Sequence, residues 1–256
     1  MNQSTAEAAV PALRLQGVGR RFGALQAVQD VDLDIAQGER RAILGPNGAG
    51  KTTLFNVVAG DYAPTSGRVF LFGEDVTRLP AQLRTRRGLG RTYQTVLLFG
   101  GLTVADNLYL AVRGVRPGRF SVVRPGQDDR HRGRAAEIAE LVGLAAVAET
   151  LVSQLAHGQL RQLELGMALA SDPRLLMLDE PAAGLSPSER QSLSHLLAGL
   201  PRSITVVLIE HDMDVALALA DRVTVMHQGR VIAEGTPAEI QADATVQAIY
   251  LGHGHD

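Results

Sequence analysis

The chain has no cysteine, and of its 25 basic residues only one, Lys51, is a lysine. Without cysteine there is neither a disulfide framework nor a thiolate metal site, which fits a reducing compartment. No uncharged apolar run reaches the ~18 residues of a membrane span, and the start, MNQSTAEAAVPAL, has no basic stretch ahead of an apolar one. Neither a spanning helix nor a secretory leader is therefore expected. An excess of one charge sign is also missing. The 25 basic and 27 acidic residues leave a net charge of −2, so nothing in the balance calls for nucleic acid as a partner. No internal period suggests a repeat architecture. What remains is 256 residues, 45% of them hydrophobic, enough for one large domain or a domain with a subdomain. A protein on the cytosolic side of the membrane is expected.

Strand and helix patterns alternate along the chain. LRLQGV (13–18) and VQDVDLDI (28–35) read as strands, the second with Val31, Leu33 and Ile35 at period two. RRAILG (40–45) is a short buried strand that runs into a glycine-rich loop, and KTTLFNVVAG continues as a helix closed by Gly60. RLLMLDEP (174–181), ITVVLIEHD (204–212) and RVTVMHQG (222–229) are apolar runs of strand length, which predicts a largely parallel sheet buried on both faces. Thr103 with Asp106, Ser186 with Glu189 and Thr236 with Glu239 each set a hydroxyl three residues before a carboxylate, the spacing of a capping box. Pro187 and Pro237 take the first helical position in two of these. The segment 113–134, rich in Gly, Pro and Arg, reads as a solvated loop, with contact to an anionic lipid or a partner as the sharper alternative.

The strongest local signal is GPNGAGKTT (45–53). Gly45, Gly50, Lys51 and Thr52 match G-x-x-x-x-G-K-[ST] in full, with a strand before and a helix after. The glycines let backbone amides turn inward around phosphate oxygens, and the helix directs its positive end at them. Lysine suits the site because its ammonium is a compact point charge on a thin stem, whereas the guanidinium fork is broad. An arginine-favouring codon habit would leave lysine only where arginine fails. A GTPase that reads guanine with Asn-Lys-x-Asp is excluded, because the single lysine is already used. LLMLDE ends in Asp179 and Glu180, two carboxylates at the C-terminal edge of a buried strand, where open α/β sheets bind ligands. Asp179 is suited to Mg²⁺ and Glu180 to polarising an attacking water. LAHGQLRQLELGMALA (155–170) reads as a helix with Leu160, Leu163, Leu165, Met167 and Leu169 along its apolar face and Gly158-Gln159 in its opening turn. A second anion-binding helix end beside a complete phosphate loop makes sense if it faces the nucleotide of another subunit.

Together these stretches resemble the ATP-binding subunit of an ABC transporter. GPNGAGKTT resembles the Walker A loop, LLMLDE the Walker B strand, LAHGQ the signature LSGGQ, and IEHD the switch-histidine region. TYQT is similar to the loop whose glutamine, here Gln94, joins the nucleotide site to a helical subdomain, and AGLS (183–186) to the loop after Walker B. The resemblance implies an α/β P-loop NTPase core with a mostly parallel sheet and an antiparallel β portion over residues 1–94 and 166–256. Residues 95–165 would be the helical subdomain ending in the signature. It implies that Gly45, Pro46, Asn47, Gly48, Ala49, Gly50, Lys51, Thr52 and Thr53 hold phosphate, and that Phe22 stacks on adenine. Ala156, Gly158 and Gln159 would face a partner's ATP, Thr52, Gln94 and Asp179 would serve Mg²⁺, and Glu180, His211 and Gln94 would serve hydrolysis. Three positions depart from the pattern: Ala156 for the signature serine, His157 for its first glycine, and Ser186 for the aspartate after Walker B.

A finer resemblance, in RTYQTVLLFGGLTVADNL, DEPAAGLSP, VLIEHDMDVALALADRVTVMHQGRVIAEGTPAEI and AIYLG, is to ATPase subunits of importers for branched-chain and other hydrophobic amino acids. It implies ATP and Mg²⁺ as cofactors and a second ATPase subunit and two transmembrane permeases as partners. It also implies a periplasmic or lipoprotein solute-binding protein as an indirect partner, and a place on the inner face of the cell membrane. Urea importers, lipopolysaccharide exporters and soluble ABC switch proteins are the alternatives. A role without turnover is disfavoured by Glu180. The tail LGHGHD offers His253, His255 and Asp256 as a metal site, with a frayed terminus as the simpler reading.

Overall fold

The computed structural model describes residues 9–92, 98–114, 125–211 and 213–251. The chain begins with β1 (Leu13–Phe22), β2 (Leu25–Ile35), β3 (Arg40–Leu44) and α1 (Lys51–Ala59). Then follow β4 (Ser66–Leu71), β5 (Glu74–Asp75), α2 (Ala81–Thr85), β6 (Leu89–Arg91), α3 (Val104–Gly114), α4 (Pro125–Leu141) and α5 (His157–Leu169). The remainder is β7 (Leu175–Asp179), α6 (Pro187–Gly199), β8 (Thr205–Ile209), α7 (Met213–Leu219), β9 (Arg222–His227), β10 (Arg230–Gly235), α8 (Pro237–Ala242) and α9 (Ala244–Leu251).

Two sheets result. The larger has the order β10-β9-β3-β8-β7-β6, and the smaller the order β2-β1-β4-β5. In the larger sheet β3 pairs in parallel with both β8 and β9, while β7 pairs in parallel with β8 and β6. Only β10 runs antiparallel, closing a hairpin with β9 through Gln228 and Gly229, both at positive φ. The apolar runs serve two cores by strict alternation. Ala42, Leu44, Leu176, Leu178, Val206 and Leu208 face a core shared with α3 to α7. Ile43, Leu175, Met177, Val207 and Ile209 face a second core built with α1 and the antiparallel sheet. Apart from the smaller Ala42, each such fully buried side chain contributes about 1.5–3 kcal/mol of apolar burial, which is why these strands read as unbroken hydrophobic runs.

The capping boxes at Ser186 and Thr236 form as expected, with each Glu at the third helical position accepting from the cap's backbone N–H and hydroxyl. Gly60 closes α1 in the left-handed conformation. Below it, the buried Arg84 donates to the carbonyls of Val57 and Val58 at 2.7 Å and to those of Leu79 and Thr77. Burial lowers its pKa to about 10, and the guanidinium acts as a cap on the phosphate-loop helix.

The structure corrects one expectation. The region read as a loop over 113–134 is helical at both ends, through α3 to Gly114 and α4 from Pro125. Residues 115–124 lie outside the described residues. α4 has few apolar residues in its first half, and its stability comes from packing Ala135, Ile138, Ala139 and the following Val142 into the helical core. The short strands β4, β5 and β6 carry no period long enough to read in advance.

Candidate nucleotide site

The phosphate loop leaves β3 and enters α1 under heavy constraint. Gly50, at φ 98°, sits where a Cβ would lie 2.4 Å from the carbonyl oxygen of Ala27, and Gly45 where it would lie 2.2 Å from that of Met226. Only glycine fits either place. The loop is pinned from outside: the Gly229 N–H donates to the Ala49 carbonyl (2.9 Å) and the Gln29 N–H to the Gly229 carbonyl (2.7 Å). The β9–β10 turn and the start of β2 thus shape the loop, with Pro46, Asn47 and Gly48 at its outer rim and Thr52 and Thr53 in the first turn of α1. The Lys51 ammonium is buried and donates to the carbonyls of Gly45 (2.6 Å) and Pro46 (3.1 Å). Burial draws its pKa below the usual lysine range, against the pull of Glu180 and Asp179, which places both carboxylates within its field.

Asp179 ends β7 with a fully buried carboxylate, its Oδ2 3.6 Å from Nη2 of Arg91. That separation is an ion pair rather than a hydrogen bond, and neither oxygen has a hydrogen-bond partner among the described residues. Burial pushes the carboxyl above its usual range; Arg91 opposes this and Glu180 adds to it. Two orphaned anionic oxygens beside a phosphate loop fit a cation that arrives with its own ligands. Among the described residues no group of three His, Asp or Glu could hold a metal unaided. Mg²⁺, which takes one or two carboxylates and completes its shell with phosphate and water, suits Asp179 and Thr52.

Glu180 follows in a left-handed conformation, φ 48°, unusual for a residue with a side chain. Its N–H donates to the Ile209 carbonyl at 3.0 Å, and its carboxylate is 30% exposed, open to the site. His211, just past β8, holds its Nδ1 3.9 Å from Glu180 Oε2. Asp179 and Ile209 are register partners, so neighbouring strand ends deliver these groups to one edge. Gln94 lies outside the described residues.

Phe22 stands at the end of β1, 39% exposed, with Tyr62 edge-on at 5.4 Å and the Arg20 guanidinium 4.5 Å above its ring. An exposed aromatic is available for stacking as a core one is not. Tyr62 was not anticipated; its position just after the helix-closing Gly60 was the only signal.

The third group, Ala156, Gly158 and Gln159, sits at the start of α5. Ala156 is the N-cap, and its N–H donates to Oε1 of Gln159 (3.0 Å), but alanine has no oxygen to return the bond. The Gly158 N–H instead donates to Oε1 of Glu189 at 3.0 Å. Glu189 also accepts from Ser186, and that hydroxyl first, then the Ser186 and Gly158 amides and the nearby His157, hold its carboxyl below the usual range. An open cleft of about 190 Å³ lies here between the starts of α5 and α6.

A P-loop, a buried aspartate followed by a half-buried glutamate, a histidine beside it and a glycine-opened helix match one family. The family model described as ABC transporter matches residues 28–183. The chain belongs to the ABC transporter ATPase family. A second model, described as branched-chain amino acid ATP-binding cassette transporter, matches residues 230–256. The cassette is 41% identical over 251 residues to the high-affinity branched-chain amino acid transport ATP-binding protein LivG of Salmonella typhimurium, covering 94% of this chain and 98% of the relative. It is 40% identical over 250 residues to the corresponding protein BraF of Pseudomonas aeruginosa, with the same coverage. Among solved structures, the ADP conformation of MJ1267, an ATP-binding cassette of an ABC transporter, superposes with a TM-score of 0.82 at 29% identity, covering 95% of this chain and 99% of that one. The dimeric post-hydrolysis state of the cassette MJ0796, bound to ADP and Pi, gives 0.74 at 26% identity, covering 88% and 98%. The cassette is an ATPase of this class, and no helix among the described residues is long and apolar enough to cross a membrane.

Proposed function

We propose that this cassette is the ATP-hydrolysing subunit of an importer for branched-chain or other hydrophobic amino acids. It works as a head-to-tail pair, each ATP lying between one chain's phosphate loop and the start of α5 in the other. Two permeases receive the motion, a solute-binding protein delivers the amino acid, and the cassette rests on the inner face of the membrane, with residues 95–165 as the subdomain between core and permease. The substrate class rests on the LivG and BraF likeness and on the C-terminal family match. The chemistry rests on the convergence of Lys51, Asp179, Glu180 and His211 at one sheet edge.

The Lys51 ammonium bonds its own loop carbonyls, which stand in for phosphate oxygens. When ATP enters, the ammonium turns to the β- and γ-phosphates, joined by the amides of 48–53 and the positive end of α1. Phe22 stacks on adenine. Asp179 and Thr52 would hold Mg²⁺, a role the family resemblance extends to Gln94, and the ion would supply charge neutralisation at the phosphates. Glu180 orients a water on the γ-phosphorus and takes its proton as the phosphorus–oxygen bond to ADP breaks, while His211 steadies the γ-phosphate. The test is Glu180→Gln in the assembled transporter. ATP binding should persist while hydrolysis falls about a hundredfold or more, the loss expected when a general base is removed. Parent turnover would exclude Glu180 as the base.

A further inference from the structure

The strand end that carries His211 holds a second carboxyl with no part in the chemistry above. Glu210 is fully buried. Its Oε1 accepts from the Ala182 N–H at 3.1 Å, and its Oε2 is buried without a hydrogen-bond partner among the described residues. Its backbone N–H donates to the Ile43 carbonyl at 3.3 Å, anchoring the residue to the strand that leads into the phosphate loop. Because Asp179 and Ile209 are paired in register, Glu180 and Glu210 leave adjacent strands at the same level.

Burying a carboxyl is unfavourable unless the fold uses it, and here it holds a specific turn. Glu180 has a conformation that persists only where its surroundings over-determine it. One fixing bond is its own N–H to Ile209; another is the Ala183 N–H to the Glu180 carbonyl at 3.1 Å. The third comes from the side: Glu210 holds the amide of Ala182, in the middle of that turn. Without the third bond the Ala182 amide is a buried donor with no acceptor, and the turn can relax by rotating Glu180 away from the water it must orient.

We infer that Glu210 is a positioning residue for hydrolysis, acting through the Ala182 amide to hold the Glu180 carboxylate in line with the γ-phosphate. This rests on Glu180 being the base. The acceptor matters rather than the charge. Burial first raises the Glu210 pKa and Glu180 adds to it, while the Ala182 amide and His211 lower it; the net direction is upward. Glutamine keeps an oxygen to accept from the Ala182 amide, and methionine keeps the volume without that acceptor.

The experiment compares Glu210→Met and Glu210→Gln with the parent in the assembled transporter, reading kcat and KM for ATP, affinity for a fluorescent ATP analogue, and the thermal melt. Glu210→Met should lower kcat on the order of tenfold or more, the scale of a base displaced by a fraction of an ångström to an ångström. KM and affinity should stay near parent, the melt should fall only modestly for the unpaired Ala182 amide, and Glu210→Gln should recover most of the rate. In a Glu180→Gln background, Glu210→Met should cost nothing further, because the residue it serves is gone. If the methionine variant does not assemble, Glu210→Asp, which withdraws the acceptor by one methylene, replaces it with the same expectation. Parent kcat in the methionine or aspartate variant, a glutamine variant as slow as either, or a full additional loss in the Glu180→Gln background would each overturn the inference. Parent turnover in Glu180→Gln alone would instead remove the reading on which it rests.

Discussion

The proposed function assigns phosphate to the starts of two helices, and the two are built differently. α1 begins at a left-handed glycine, has no acidic residue in its first turn, and keeps Lys51 folded over its own loop. α5 begins at an alanine that cannot cap, and its Gly158 amide is already engaged by the Glu189 carboxylate. The first end has no acidic residue in its own opening turn and carries its own cation. The second is satisfied from within by a carboxylate borrowed from the capping box of α6. A phosphate loop must bind nucleotide in a single chain, so it is built open. In the proposed head-to-tail pair the start of α5 meets ATP only across the dimer, and in the single chain its Gly158 amide is engaged by the Glu189 carboxylate instead.

The comparison breaks most sharply at Lys51. Lys51→Arg keeps the charge in a chain that uses arginine everywhere else, yet the wider guanidinium displaces the phosphates and should cost on the order of a hundredfold in rate. The fold should be spared, because the ammonium faces ligand and loop carbonyls rather than apolar core. ATPase activity of the assembled complex and a nucleotide-free melt check both halves; parent turnover would mean that α1 tolerates any cation and its lysine is incidental.

A smaller effect is expected at α5. Glu189→Gln removes the charge that competes with phosphate for the Gly158 amide while keeping an acceptor for the α6 cap, so ATP-driven dimerisation should tighten about threefold to tenfold. Sedimentation or light scattering of the hydrolysis-deficient Glu180→Gln cassette with ATP reads it, and nucleotide affinity of the monomer should not move. Weaker dimerisation would mean that the carboxylate supports the closed state.

The smallest effect is in the pH dependence. Glu189 has a folded pKa below its unfolded one, owing to the Ser186 hydroxyl first and then the Ser186 and Gly158 amides and His157. It therefore adds stability above the ordinary glutamate range and loses it as pH falls through the lowered value. Melts of parent and Glu189→Gln between pH ~6 and ~3, spanning the usual carboxylate range, should show the parent losing more on the acid side, with the two curves approaching each other. Parallel curves would show that the borrowed carboxylate does not hold α5.

What could be read in the sequence was local. The phosphate loop, the Asp179-Glu180 pair, the three hydroxyl–carboxylate spacings and the alternating strands all declare themselves within a few residues, because the geometry they serve is set by backbone period and cap chemistry. What could not be read depended on distant partners. α4 is held by packing Ala135 and Ile138 of its second half rather than by propensity, so the Gly, Pro and Arg before them concealed it. Glu189 announced its cap to Ser186 but not its bond to Gly158, 31 residues earlier. Glu210 looked like the polar end of an apolar run, and only the loop folding over it makes its carboxyl a support for Glu180.

The strand order has a consequence for how the cassette is made. The phosphate-loop motif leaves the ribosome early, but β3 is flanked in the sheet by β8 and β9, and the turn that pins Ala49 comes only at Gly229. Contacts of such long sequence separation form late. A nascent or prematurely ended chain lacking 205–229 carries the full nucleotide motif without the sheet that shapes it. The strands that flank the phosphate loop and the turn that pins it are therefore completed only when the last third of the chain is in place.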